Sequence, residues 1–142
     1  MIIRKATLAD LSEVLRLAQL VKLGFKGFYW HRYREVRYQI CRRRYYVAMS
    51  GQRIVGILNL FPGRHAMDIN LISVDSCYQG RGIGAKLVEF ALDLAQQKNK
   101  KTLAVSSFKV YRVKEFYLHL GFKLIGEGSF CKQPYWNFSM SI

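Results

Sequence analysis

Hydrophobic positions along the chain follow two periods, and the changes between them mark out its elements. Ile2 and Ile3 before Arg4 and Lys5 read as a short opening strand. Leu8, Leu11, Val14, Leu15 and Ala18 then recur at steps of three and four, which predicts an amphipathic helix over 8–20. Thr7 offers its N-cap, with Asp10 as a variant capping box. Residues 21–31, rich in glycine and aromatic side chains, read as a loop, and 32–42 as a second helix with Tyr33, Val36, Ile40 and Arg37 along one side. The period then shortens. Strands are predicted at 44–49 and 53–61, with a hairpin turn at Ser50-Gly51-Gln52. Another strand at 66–74 follows the turn Pro62-Gly63-Arg64. After a glycine-rich connection over 75–84, Ile83, Leu87, Val88, Ala91, Leu92 and Ala95 define the clearest helix, 83–98. Asn99-Lys100-Lys101 closes it with positive charge, which suits the negative end of a helix dipole. A strand at 102–106, a helix at 110–120 ending at Gly121, and strands at 122–126 and 134–142 complete the pattern. Strands joined first by hairpins and then by helical crossovers imply a mixed sheet with helices on its faces.

A length of 142 residues fits one domain over 1–142, with no internal repeat or linker. A chain of this size buries roughly 68–70% of its unfolded surface, so it needs no disulfide or metal to hold a core. At 14% aromatic it is too rich in rings for a disordered chain. No apolar run reaches the roughly 18 residues of a membrane span. The N-terminus lacks the apolar core of a signal peptide, so a cytoplasmic location is expected. Cys41, Cys77 and Cys131 are odd in number and form no CxxC pair. They support neither a disulfide framework nor a zinc site, and His31, His65 and His119 share no ligand spacing. No metal is expected. The formal net charge of +14 points to anionic partners or to a heavily solvated surface.

The most chemical segment is Gln79-Gly80-Arg81-Gly82-Ile83-Gly84-Ala85. It follows a predicted strand and opens the strongest helix. Its glycines let an anion approach the backbone, the first N–H groups of the helix have no internal acceptor, and Arg81 adds a cation. These are the features of a phosphate or pyrophosphate site; the alternative is a tight strand-to-helix turn alone. A Walker A loop fails, because Ala85-Lys86-Leu87 carries no hydroxyl for magnesium. A dinucleotide fingerprint is matched by Gly80, Gly82 and Ala85. The expected ribose-binding acid is missing, however, since the chain there runs through Lys100 and Lys101 to Ser106 and Ser107.

The pattern Gln-x-x-Gly-x-Gly, here Gln79, Gly82 and Gly84, resembles the acyl-CoA pyrophosphate loop of the GNAT (Gcn5-related) N-acetyltransferases. Leu71-Ile72-Ser73-Val74 is similar to the family's fourth strand, and Tyr117-Leu118-His119-Leu120-Gly121-Phe122 to its Tyr-x-x-x-Gly-Phe signature. Thr7, Asp10 and Leu11 resemble its opening strand-to-helix junction. The resemblance covers essentially the whole chain. It implies a mixed, mostly antiparallel α/β (α+β) fold of about six or seven strands and about four helices. It also implies acetyl-CoA as cofactor, held by Ile72, Val74, residues 79–85, Ser107 and Tyr117. In one departure, the Asn often found seven residues before the tyrosine is Val110 here.

Acetyl transfer from a thioester to an amine needs a neutral nucleophile, a polarised carbonyl and a proton for the leaving thiolate. No Ser-His-Asp or Cys-His arrangement is evident, so a direct ternary-complex mechanism is expected. The resemblance implies Tyr117 as general acid and the Val74 N–H as the group polarising the carbonyl. Asp68 and Asn70 share one face of their strand, and Asp68 is the candidate general base. Asp75 either serves the same chemistry or caps the turn, and Glu35 is a weaker candidate. In the family the first two helices cover the acceptor side. Here residues 22–46 hold Lys22, Lys26, Arg32, Arg34, Arg37, Arg42, Arg43 and Arg44 against one acid, Glu35. Phe25, Phe28, Tyr29, Trp30, Tyr33, Tyr38, Tyr45 and Tyr46 are interleaved with them. Such a segment suits an anionic acceptor or nucleic acid, or simply packs a helix while its charged tips stay wet. The alternatives are an enzyme resembling the family's tRNA-acetylating toxins and a non-catalytic acyl-CoA or nucleic-acid binding module. A homodimer also stays open, and no membrane partner is expected.

Overall fold

The computed structural model describes Met1–Ile142. Seven strands and four helices alternate along the chain as β1 (Ile2–Lys5), α1 (Leu11–Ala18), α2 (Tyr33–Cys41), β2 (Tyr45–Ser50), β3 (Arg53–Pro62), β4 (Ala66–Val74), α3 (Ile83–Gln97), β5 (Thr102–Phe108), α4 (Lys114–His119), β6 (Lys123–Phe130) and β7 (Gln133–Ser141). The sheet order is β1-β2-β3-β4-β5-β7-β6. β1–β2, β2–β3, β5–β7 and β6–β7 pair antiparallel and β4–β5 parallel. This is the mixed sheet that the pattern predicts, mostly antiparallel as the resemblance implies. No helix is long and apolar enough to cross a membrane. The chain divides into two compact units, Met1–Leu60 with Leu71–Phe90, and Phe61–Asn70 with Ala91–Ile142.

In the first unit, Val14, Leu17 and Ala18 of α1 pack with Val36 and Ile40 of α2 and with Tyr45, Val47, Ile54, Ile57 and Leu71. The predicted helix over 8–20 is α-helical only over Leu11–Ala18, and tight 3₁₀ turns flank it at Leu8–Asp10 and Gln19–Val21. The capping group closes on the first of these turns. The Thr7 N–H donates to the Asp10 carboxylate at 2.8 Å, and Arg4 grips the same carboxylate at 2.8 and 3.0 Å. Gly56 lets α3 approach β3, since a Cβ there would lie 3.1 Å from Ile83 Cγ2 and Leu87 Cδ1. Leu87 is fully buried, and truncating such a side chain to alanine costs about 2–5 kcal/mol.

In the second unit, α3 ends at Asn99, whose φ of 57° is left-handed, with the Lys100 N–H returning to the Ala95 carbonyl at 2.9 Å. The predicted helix over 110–120 is shorter than expected. Lys109–Tyr111 is a 3₁₀ turn, Arg112 is left-handed at φ 56°, and only Lys114–His119 is α-helical. Gly121 follows at φ 99°, with the Phe122 N–H bonded to the Tyr117 carbonyl. The strands expected at 122–126 and 134–142 are one long hairpin. β6 continues to Phe130 and turns through Cys131 and Lys132, at φ 50° and 66°, into β7.

Candidate active site

β4 alternates strictly. Met67, Ile69, Leu71 and Ser73 are buried, while Asp68, Asn70, Ile72 and Val74 occupy the opposite face. The strand ends on Asp75, which is 3% exposed. Its carboxylate accepts the Cys77 N–H at 2.9 Å and the Arg16 guanidinium at 3.0 Å, with Arg53 at 3.7 Å. The Cys77 N–H, then Arg16 and Arg53, hold the carboxyl below the usual carboxylate range. Asp75 thus caps the turn. Gln79 Nε2 donates back to the Val74 carbonyl at 3.2 Å, which folds the loop onto the end of its strand.

Gly80 and Gly82 are left-handed, at φ 77° and 79°, and a Cβ on either would meet nothing within 4 Å. Backbone conformation, not crowding, requires glycine at both. Lys86 is the first residue whose N–H reaches the turn behind it, bonding the Gly82 carbonyl at 3.1 Å. The N–H groups of Ile83, Gly84 and Ala85 thus stand at the positive end of α3 with no helical acceptor. The exposed Arg81 lies over the Tyr78 ring, 4.9 Å from its centroid. Space above two glycines, three unspent N–H groups and a nearby guanidinium fit a diphosphate.

The second unit holds Tyr117, Asp68, Ser106, Ser107 and Val110. Tyr117 is 3% exposed and is ringed by Phe116, Phe122 and Phe138, with centroids 5.0, 5.5 and 5.2 Å away. Its hydroxyl makes no hydrogen bond in the chain. The one enclosed side-chain polar atom without a partner is His31 Nδ1, so the Tyr117 hydroxyl reaches the surface. Burial pushes the phenol above its ordinary value. Asp68 is half-buried without a hydrogen bond or ion pair, and burial raises its carboxyl. Ser107 is buried, whereas Ser106 is exposed and donates to Asn137 Oδ1 at 2.6 Å. The β4–β5 ladder stops at Ile69–Val105, although both strands continue beyond it. Val110 is exposed on its 3₁₀ turn. Glu35 accepts from Gln39 at 2.8 Å. No three His, Cys, Asp or Glu side chains are grouped to hold a metal ion.

Residues 41–124 match the family model of an acetyltransferase (GNAT) domain. The chain belongs to the GNAT acetyltransferase family. No curated protein matches it. Solved structures share the fold at low identity. Ard1 from Thermoplasma volcanium is 18% identical with a TM-score of 0.84, over 99% of this chain and 97% of its own. A ribosomal-protein-alanine N-acetyltransferase from Brucella melitensis is 20% identical with a TM-score of 0.80, over 100% of both chains. An aminoglycoside 6′-N-acetyltransferase complexed with coenzyme A is 16% identical with a TM-score of 0.80, over 99% of this chain and 97% of its own.

Within this GNAT chain, sequence reasoning misses the partners of Asp75. Arg16 lies 59 positions away, and no local pattern ties the two together. The fold brings Arg16 from α1 and Arg53 from β3 to the start of the glycine loop. A carboxyl held low contributes stability that is present above the unfolded value of about 3.9 and lost as pH falls through the folded one. Asp75→Asn should therefore flatten the acid limb. Between about pH 5 and pH 2 its melting temperature is expected to fall less steeply than the wild type's. Parallel melting curves for the two proteins would remove Asp75 from that role.

Proposed function

We propose that this protein transfers the acetyl group of acetyl-CoA to a primary amine of a small molecule or protein within a ternary complex. The observation that carries this reading is the set of unspent N–H groups at Ile83–Ala85 behind two left-handed glycines, in a chain of this family. Gln79 to Ala85 would hold the pyrophosphate, with Arg81 adding charge. The edge of β4 at Ile72 and Val74 would hold the extended pantetheine arm, joined by Ser107. We take residues 1–142 as one acetyltransferase domain, since β4 and α3 each run from one compact unit into the other. A cytoplasmic location goes with this reading.

Bound acetyl-CoA supplies an activated acyl carbon on a thioester. The Val74 N–H would polarise its carbonyl, and the Asp68 carboxylate would take a proton from the amine through water. As the C–N bond forms and the C–S bond breaks, the Tyr117 hydroxyl gives its proton to the departing sulfur. The decisive test is thiol release from acetyl-CoA across amino acids, polyamines, peptides and aminoacyl-tRNA. Thiol is expected with at least one class and none without an acceptor. Tight coenzyme A binding with no thiol from any amine would make the chain a binding module instead.

A further inference from the structure

The surface of α2 separates into two halves. At 100° per residue, the buried Val36, Gln39 and Ile40 fall within one narrow arc. Tyr33, expected on the side of Val36 and Ile40, stands at the edge of that arc beside Ile40 and is exposed; from there the surface runs through Arg37, Cys41, Arg34 and Tyr38, all exposed, to Arg42. No acid lies among them. Glu35, the helix's one carboxylate, sits at the margin and is bonded to Gln39. The cations in the chain's ion pairs are Arg4, Arg16, Arg53 and Lys109, and none of them comes from this helix. Arg32 before it, and Arg43 after it in a left-handed turn, are also exposed and without an ion pair. Five exposed guanidinium groups on and beside this helix are therefore without an ion pair. Like charges at helical spacing weaken a helix, so an external anion is the natural complement. Tyr33 and Tyr38, 55% and 52% exposed, set two unstacked rings among them.

We propose that this face of α2 binds single-stranded nucleic acid, with Arg34, Arg37 and Arg42 on phosphates and Tyr33 and Tyr38 against bases. Acidic side chains would satisfy the arginines and leave the rings unused, because carboxylates offer no aromatic ring to stack on. A duplex would keep its bases out of the rings' reach. Guanidinium groups interleaved with exposed rings match both components of a single strand. The site needs neither coenzyme A nor turnover, so it stands apart from the transferase reading.

The test uses the full chain and fluorescence anisotropy of a fluorescein-labelled oligouridylate, about 12 nucleotides long, within the span of a single-strand site. Affinity should fall with salt. The triple change Arg34→Gln, Arg37→Gln, Arg42→Gln should reduce the log–log salt slope by about 2, at roughly 0.7 per lost phosphate contact. Tyr33→Ala and Tyr38→Ala should each weaken binding on the order of five- to a hundred-fold with the slope unchanged. The matching Arg→Lys triple variant should restore the slope, which a fold defect would not. Coenzyme A titration of each variant checks that the unit is intact. Equal affinity and slope in the glutamine variant would overturn the proposal. So would full potency of the alanine variants combined with displacement by polyglutamate, which would assign the face to an acidic protein. A duplex of equal length bound as tightly as the single strand would also overturn it.

Discussion

Tyr117→Phe is expected to lower turnover by roughly 10²–10⁴-fold while leaving coenzyme A affinity almost unchanged. The asymmetry follows from how the residue sits. The ring is packed among Phe116, Phe122 and Phe138, and phenylalanine preserves those contacts. The hydroxyl bonds nothing in the chain, so its loss leaves no orphaned partner and costs little stability. In the proposed mechanism, what disappears is the proton for the leaving sulfur. Burial raises the phenol, so the acid form persists beyond its ordinary value of about 10. The wild-type rate should accordingly show no alkaline decline from this group below about pH 10. Wild-type turnover in the phenylalanine variant, measured where chemistry limits the rate, would reassign Tyr117 to packing.

Gly82→Trp should reduce coenzyme A affinity by at least roughly a hundred-fold, the equivalent of one or two lost hydrogen bonds to a charged group. A side chain at φ 79° is strained, and release of that strain turns the N–H groups of Ile83–Ala85 away from their common direction. The indole also fills the space that the anion needs. Since nothing in the protein lies within 4 Å of that Cβ, the fold should survive. Gly51→Ala makes the useful comparison. It has a similar left-handed φ of 59° and open surroundings at the β2–β3 hairpin, so it should lose stability without losing the ligand. Unchanged calorimetric affinity in folded Gly82→Trp would place the pyrophosphate elsewhere.

The elements legible in the sequence are those whose own residues determine them. Alternation along β4 places Asp68 and Asn70 on one face, and the structure agrees. The glycine loop is legible because its chemistry is local. The C-terminal hairpin is not. Gly126 and Gly128 interrupt the strand pattern, yet Tyr135 on β7 lies across Gly128, where a Cβ would come within 2.7 Å of three of its side-chain atoms. A cross-strand ring supplies the packing that the glycine lacks, and no single strand can show this. The turn is equally hidden, since Cys131 and Lys132 take left-handed conformations usually given to Asn and Gly. The helix expected over 110–120 fails at Arg112, whose positive φ has no signature in residue type. In the site, the ion pairs of Asp75 with Arg16 and Arg53 depend on three elements meeting, which periodicity cannot predict.

The two left-handed glycines of the anion loop also bear on the unfolded chain. A glycine gives up more backbone freedom on folding than any other residue, by roughly 0.5–1 kcal/mol relative to alanine in regular structure. At Gly80 and Gly82 the left-handed backbone would strain any other residue, so the loop carries this ordering cost with glycine in place. Under the proposed reading, an anion bound at this loop would offset that ordering cost. Ligand binding and folding are linked at this turn. Occupancy at a hundred times the dissociation constant adds about 2.7 kcal/mol to the stability of the whole chain. On that reading, the stability of the whole chain responds to the supply of its own acyl donor.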